Sequence, residues 1–241
     1  MKFYYSEKLS LFTNLLHAFT TKESGNLAFH VRDDETEVQK NHELLAKELG
    51  YEKNSLVHMQ QIHSDIVHVV ANEDFKTPPT CDALITNRPN TPLMVMVADC
   101  SPILFYDDKK RVIAAAHAGR QGAFKNIVKN VVERMKTEFG TEAKNVHVSV
   151  GASIGVCCYE VGGEIYVEAK EKGLEYAMQK RGGSFYLDVA SILQKQLLSC
   201  GIKRENIEFC DDCTCCNTHK YFSYRAEAKT GRFAGIIQLK G

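Results

Sequence analysis

The first clear helical pattern in the chain lies between Glu35 and Leu49. There Val38, Leu44, Leu45 and Leu49 fall near a 3.6-residue spacing, and Gly50 supplies a stop. Beyond it the apolar positions change character. The β-branched stretch Asp65–Val70 reads as a strand leaving Gln60-Gln61-Ile62-His63, and Ala83–Thr86 as a second short strand. Leu93–Ala98 is a continuous apolar run, the pattern of a strand covered on both faces. It ends at Asp99-Cys100-Ser101-Pro102, because Pro102 has no amide hydrogen to give a central ladder.

Ile103–Tyr106, the turn Asp107-Asp108-Lys109-Lys110 and Arg111–His117 then read as a hairpin. Gly119-Arg120-Gln121-Gly122 leads into a helix expected over about Ala123–Phe139, and Val146–Val150 is another buried strand. It opens onto the loop Gly151-Ala152-Ser153-Ile154-Gly155. Helices are expected at about Glu164–Gln179 and Asp188–Ser199, the latter closed by Gly201, with strands near Ile207 and Ile236. The central strands follow one another through turns before any helix intervenes. That order predicts an α+β fold, a layered α/β/β/α arrangement of mixed sheets with outer helices, rather than a doubly wound parallel sheet. No Pro-rich linker, repeat or low-complexity segment divides residues 1–241, which read as a single domain.

Composition narrows the partners. Thirty basic residues balance thirty acidic ones, so no global field draws the chain to nucleic acid or an anionic membrane. No run approaches the ~18–20 apolar residues that span a bilayer. Glu7 and Lys8 interrupt the N-terminus before any signal-like run, so the expected compartment is cytoplasmic. In a reducing compartment the nine cysteines read as buried small hydrophobes, metal ligands or nucleophiles, not as a disulfide framework.

Three of the candidate reactive side chains sit beside strands. His63 precedes one, Cys100 closes the most apolar one, and His117 closes the next and leads into a glycine-rich turn. Cys100 and His117 flank one hairpin, so they can meet at one end of a sheet. Two imidazoles and a thiolate suit zinc or copper, and three protein ligands leave a coordination position for substrate or water. The same pair equally suits a metal-free hydrolase, with Cys100 as nucleophile and His117 as base. Arg120, just past His117 at a helix start, and Arg225 are candidates to bind an anion. Cys210-Asp211-Asp212-Cys213-Thr214-Cys215-Cys216 is a second candidate metal or redox segment through its CxxC spacing, whereas the adjacent Cys157 and Cys158 read as loop or core packing.

Taken in order, Gln60-Gln61-Ile62-His63, Asp82-Ala83-Leu84-Ile85-Thr86, Ala98-Asp99-Cys100-Ser101-Pro102, Ala116-His117-Ala118-Gly119, Gly151-Ala152-Ser153-Ile154-Gly155, Tyr159-Glu160-Val161-Gly162, Asp188-Val189, Cys213-Thr214, Phe222-Ser223-Tyr224-Arg225 and Thr230-Gly231-Arg232 are distinctive. Together they resemble the YfiH-like family, described both as laccase-type polyphenol oxidases and as purine nucleoside phosphorylases. The likeness runs from about His17 to Leu239. It implies a four-layer α+β fold and a metal held by His63, Cys100 and His117, with zinc the expected ion and copper the alternative. It also implies phosphorolysis of adenosine and inosine, cleavage of methylthioadenosine and some adenosine deamination, or else copper-dependent phenol oxidation. The partners expected are therefore a small nucleoside and phosphate. Two departures stand out. Arg120 occupies the position after His-Ala-Gly where many relatives carry Trp, and Leu27-Ala28-Phe29-His30 stands where relatives read Leu-Asn-Leu. A non-enzymatic metal or redox protein built on the Cys210–Cys216 segment is the remaining expectation.

Overall fold

The computed structural model describes residues 1–31 and 33–241. Two large sheets face one another. The six-stranded sheet is ordered Ile207–Phe209, Val146–Val150, Ser101–Asp107, Val112–Ala118, Ala83–Thr86 and Val67–Val69, and it mixes antiparallel with parallel pairs. The five-stranded sheet is ordered Phe3–Tyr4, Leu15–Thr20, Phe233–Leu239, Leu93–Val97 and Val57–His58. Glu160–Val161, Ser184–Leu187 and Met178–Arg181 form a small third sheet.

Three buried clusters define the layers. Leu104, Tyr106, Ile113 and Ala115 face Phe19, Leu93, Val95 and Phe233 between the two large sheets. The opposite face of the six-stranded sheet, including Ile103, Phe105 and Ala116, packs on helices Ile127–Phe139 and Val189–Ser199. Met94, Met96 and Ile236 on the outer face of the five-stranded sheet meet Leu45 and Ala46 of helix Glu35–Leu49. Period-2 alternation explains why neighbouring residues of one strand serve different layers. The expected α+β architecture with outer helices is the one observed.

Helix Glu35–Leu49 has the bounds its pattern indicated. The Asp34 side chain accepts from the amides of Thr36 and Glu37, and Gly50 closes the helix in the left-handed conformation; such a cap contributes about 1 kcal/mol. The Ser101–His117 region differs in one respect. Pro102 lies inside a strand that begins at Ser101, paired with His117. A strand start tolerates proline because the missing donor is not needed there, and the Pro102 carbonyl accepts from Gly151 N–H at 2.9 Å.

Two helices differ from expectation. The helix expected over Ala123–Phe139 is two, Arg120–Phe124 and Ile127–Phe139. Asn126 stands between them at φ 63°, and its side chain accepts from the Lys129 amide as an N-cap. The helix expected over Glu164–Gln179 ends at Glu171, after which Gly173 at φ 68° turns the chain into the hairpin Met178–Arg181/Ser184–Leu187. Its two-residue Gly182-Gly183 connection, with φ of 54° and 94°, fits the turn type that suits strand twist.

Candidate metal centre and cleft

Val97 and Ala118, the last residues of their strands, line a cleft of about 440 Å³. His63, Cys100 and His117 meet on its wall, with ligating atoms all within 4.8 Å of one another. Cys100 Sγ lies 3.9 Å from His63 Nε2, and the two imidazoles meet edge to face with centroids 4.7 Å apart. A tetrahedral ion at ordinary Zn–N and Zn–S lengths holds its N and S ligands about 3.5 Å apart. A small closure of these side chains therefore suits a bound metal.

Each of the three is positioned by a different device. His117 is paired with Pro102 in the central hairpin and is only 3% exposed. Cys100 follows Asp99, which sits at φ 85°, a conformation unusual for a residue with a side chain. Three contacts hold Asp99 there. Its carbonyl accepts from Ile154 N–H at 2.8 Å, and its carboxylate accepts from Thr214 Oγ1 and from Arg225 N–H, each at 2.6 Å. His63 is also at positive φ, 58°, and Gln61 beside it clasps the backbone of Met96 from both sides.

Asp82 organises the whole wall. It is fully buried and accepts from the amides of Ile62, His63 and Ser64, from Ser64 Oγ, and from His117 Nδ1 at 2.8 Å. Burial alone would raise its carboxyl, but the bonds from His117 and Ser64 hold it down at about 2. With Nδ1 donating to Asp82, His117 presents Nε2 to Cys100. This is the carboxylate–histidine support typical of metal ligands. Sequence reading passed over Asp82 except as part of a motif. Its signal was an acid placed directly before a fully buried strand, where an unpaired carboxylate would be costly.

The Cys100–His117 pair is polarised. Burial disfavours the Cys100 thiolate, yet the charge of His117 and hydrogen bonds from His117 and His63 outweigh it and lower the thiol to about 6. Burial likewise opposes charge on His117, while Cys100 and Asp82 together raise it to about 9. Gly119 leaves room for this chemistry. A Cβ there would stand 2.8 Å from Cys100 Sγ and 3.3 Å from His63 Cδ2.

Arg120 and Arg225 both line the cleft, as does Arg232, whose role sequence reading left unassigned. Their partners differ. Arg120 pairs with Glu168 at 2.8 Å. Arg225 donates to the carbonyls of Cys158 and Glu160, and Arg232 to those of Thr230 and Gly231. Carbonyls leave the guanidinium charge uncompensated; a carboxylate does not. Tyr159 and Tyr224 add aromatic faces, and the Arg225 guanidinium stands 5.3 Å over the Tyr159 ring. Among the described residues no helix is long and apolar enough to cross a membrane.

A layered α+β chain with two histidines and a cysteine gathered on one cleft wall, backed by a buried carboxylate, carries a candidate metal centre. Residues 17–240 match the family described as multi-copper polyphenol oxidoreductase laccase. The chain is 37% identical over 234 residues to a protein of Corynebacterium glutamicum named purine nucleoside phosphorylase, covering 92% of this chain and 93% of that one. A Clostridium acetobutylicum protein of the same name is 34% identical over 224 residues, covering 92% and 91%. The Bacillus licheniformis protein YfiH superposes with a TM-score of 0.89 at 29% identity, over 94% of this chain and 93% of that one. The chain belongs to this laccase-like YfiH family.

Proposed function

We propose that the protein is a metal-dependent purine nucleoside phosphorylase, with His63, Cys100 and His117 as metal ligands. The observation that most supports this is the convergence of those three side chains on a cleft that also carries uncompensated arginines, in a chain whose relatives bear that enzyme's name. Adenosine and inosine are the proposed substrates, with methylthioadenosine a further one and adenosine deamination a side activity. Zinc fits the mixed nitrogen and sulfur ligand set, and copper is the alternative. When bound, the metal supplies a Lewis acid at the cleft wall.

The chain's own residues serve the remaining needs of phosphorolysis. An incoming phosphate requires cations not already neutralised. Arg225 and Arg232 meet that condition better than Arg120, whose charge Glu168 answers. Arg120 instead braces the cleft wall against the helix Gly163–Glu171. Tyr159 and Tyr224 offer faces on which a purine can stack, taking up the role of the aromatic ring that Arg120 replaces. Asp82 keeps His117 in a single orientation throughout. Cys100 and His117 are assigned to the metal, so neither acts as a free acid or base.

A second reading has a specific observation behind it. The lowered Cys100 thiol beside a raised His117 is the charge pattern of a cysteine nucleophile and its base. Copper-dependent phenol oxidation has less support, because the multi-copper chemistry in the family's description needs several coppers. The two candidate ligand clusters among the described residues are one His/Cys triplet and one set of thiols.

Release of free base from adenosine and inosine, with and without phosphate, on zinc-loaded and chelated protein separates these readings. Base release that requires both phosphate and metal is expected. Hydrolysis that survives chelation would replace the phosphorylase with the cysteine hydrolase.

A further inference from the structure

The second gathering of metal-ligating atoms lies in two loops, one following Ile154 and one around Thr214. Cys157 and Cys158, in the turn after Gly155, meet Cys213 and Cys216, and all four sulfurs lie within 4.8 Å of one another. Cys216 Sγ stands 3.6 Å from Cys157 Sγ and 3.3 Å from Cys158 Sγ. We propose that Cys157, Cys158, Cys213 and Cys216 form a second, structural metal centre that binds one zinc ion through four thiolates.

The distances favour a mononuclear ion. Zinc at a Zn–S length of about 2.3 Å spaces the sulfurs of a tetrahedral site about 3.8 Å apart. A disulfide needs its sulfurs at about 2.05 Å and would engage only two of the four. A polynuclear iron–sulfur cluster distributes its thiolates over separate metal atoms and spreads them more widely. Four protein ligands close the coordination sphere, the mark of a structural site as opposed to one that admits substrate.

The backbone is prepared for such an ion. Gly155 donates its N–H to Cys213 Sγ at 3.1 Å, a bond that stabilises a thiolate. A Cβ at Gly155 would come within 3.1 Å of Cys157 Sγ and 3.3 Å of Cys213 Cβ, so the glycine makes room for the cluster. The ligand spacing is Cys-Cys in one loop and Cys213-x-x-Cys216 in the other, not the Cys210-x-x-Cys213 pair that the sequence offered first. Cys210 instead packs with the buried cluster between the two large sheets.

This centre would clamp two loops that share a task. The loop around Ile154 and the loop around Thr214 bridge directly at Ser153 and Cys213, and each holds one side of Asp99. Asp99 in turn sets the position of Cys100. The four cysteines are thus positioning residues for the first site, reaching it through Asp99, and they touch no substrate themselves.

The test uses the intact chain. Zinc-grown protein should carry two metal equivalents by mass spectrometry, and Cys157→Ser with Cys216→Ser should carry one. Cys100→Ala removes the thiolate of the first site, so cobalt loaded into that variant should still show the intense thiolate-to-cobalt absorption of a tetrahedral sulfur site. Absence of that absorption, or two full equivalents in the double-serine variant, would overturn the proposal. Should a variant fail to fold, differential alkylation of the native protein decides. Near neutral pH zinc should protect Cys213 and Cys216 from iodoacetamide, and equal labelling of Cys213 with and without zinc would overturn the centre.

Discussion

The two clusters of metal-ligating side chains are linked through one residue, Asp99, yet they are built by opposite means. At His63, Cys100 and His117 the scaffold positions the ligands. A paired strand carries His117, a strained residue precedes Cys100, and one buried carboxylate ties His117 to the His63 loop. At Cys157, Cys158, Cys213 and Cys216 the relation is reversed. Those residues lie in loops, Cys157 and Cys216 are exposed, and the proposed ion would hold the loops in place. A reactive site that keeps a position open must draw its order from the protein, because its metal is only partly enclosed. A closed site can supply order instead.

The largest effect separating the two should follow from Cys100→Ala. Loss of a metal ligand forfeits several kcal/mol of transition-state stabilisation, so base release should fall by roughly a thousandfold or more. An exchangeable ion held by three ligands adds less by linkage than one held by four, so the melting temperature should change less, and steady-state assays beside calorimetry would show the split. Cys157→Ser with Cys216→Ser should give the opposite profile. Losing an ion bound at a thousand times its dissociation constant removes about 4 kcal/mol, or roughly 10 °C of melting temperature for a chain of this size. Its activity should drop much less than that of Cys100→Ala. If both variants lose activity and stability alike, the two sites are not built by opposite means.

Asp82→Asn sharpens the comparison at intermediate size. Removing the carboxylate behind His117 should weaken metal binding at the first site by about 10–100-fold while leaving zinc at the four-cysteine site unaffected. Competition with a chelator of known affinity would measure both. The smallest effect is in the pH profile of thiol alkylation on metal-free protein. Cys100, held down near 6, should label as a thiolate from about that pH upward. Partial desolvation and the Cys213 and Cys216 thiols push Cys157 up to about 11, so it should react only in alkali. Mass spectrometry of the labelled peptides across this range reads the two apart.

Much of this layout was legible in the chain, for local reasons. Helix Glu35–Leu49 announced itself through its spacing and Gly50, strand Ala83–Thr86 through its short apolar run, and strand Val146–Val150 through its alternating valines. Cys100 and His117 were readable as neighbours because a single hairpin joins them. What stayed hidden depended on contacts between distant segments. Val161 pairs with Phe185 and Met178 with Leu187, a ladder that overrides the helical look of the segment after Glu164. Cys157 and Cys158 looked like packing residues because nothing within 50 positions reveals that Cys213 and Cys216 come to meet them. Arg225 and Arg120 looked equivalent as anion binders until the partners of each were known.

The carboxylate of Asp82 has a further consequence, in time as well as in space. Amides of irregular segments usually exchange with solvent quickly, since brief local openings expose them. Those of Ile62, His63 and Ser64 all end on one fully buried side chain that also grips the central hairpin through His117. None of the three can be released without disturbing that anchor. In deuterium exchange this short stretch should therefore keep its protons with the persistence of the neighbouring strands, although His63 itself faces solvent.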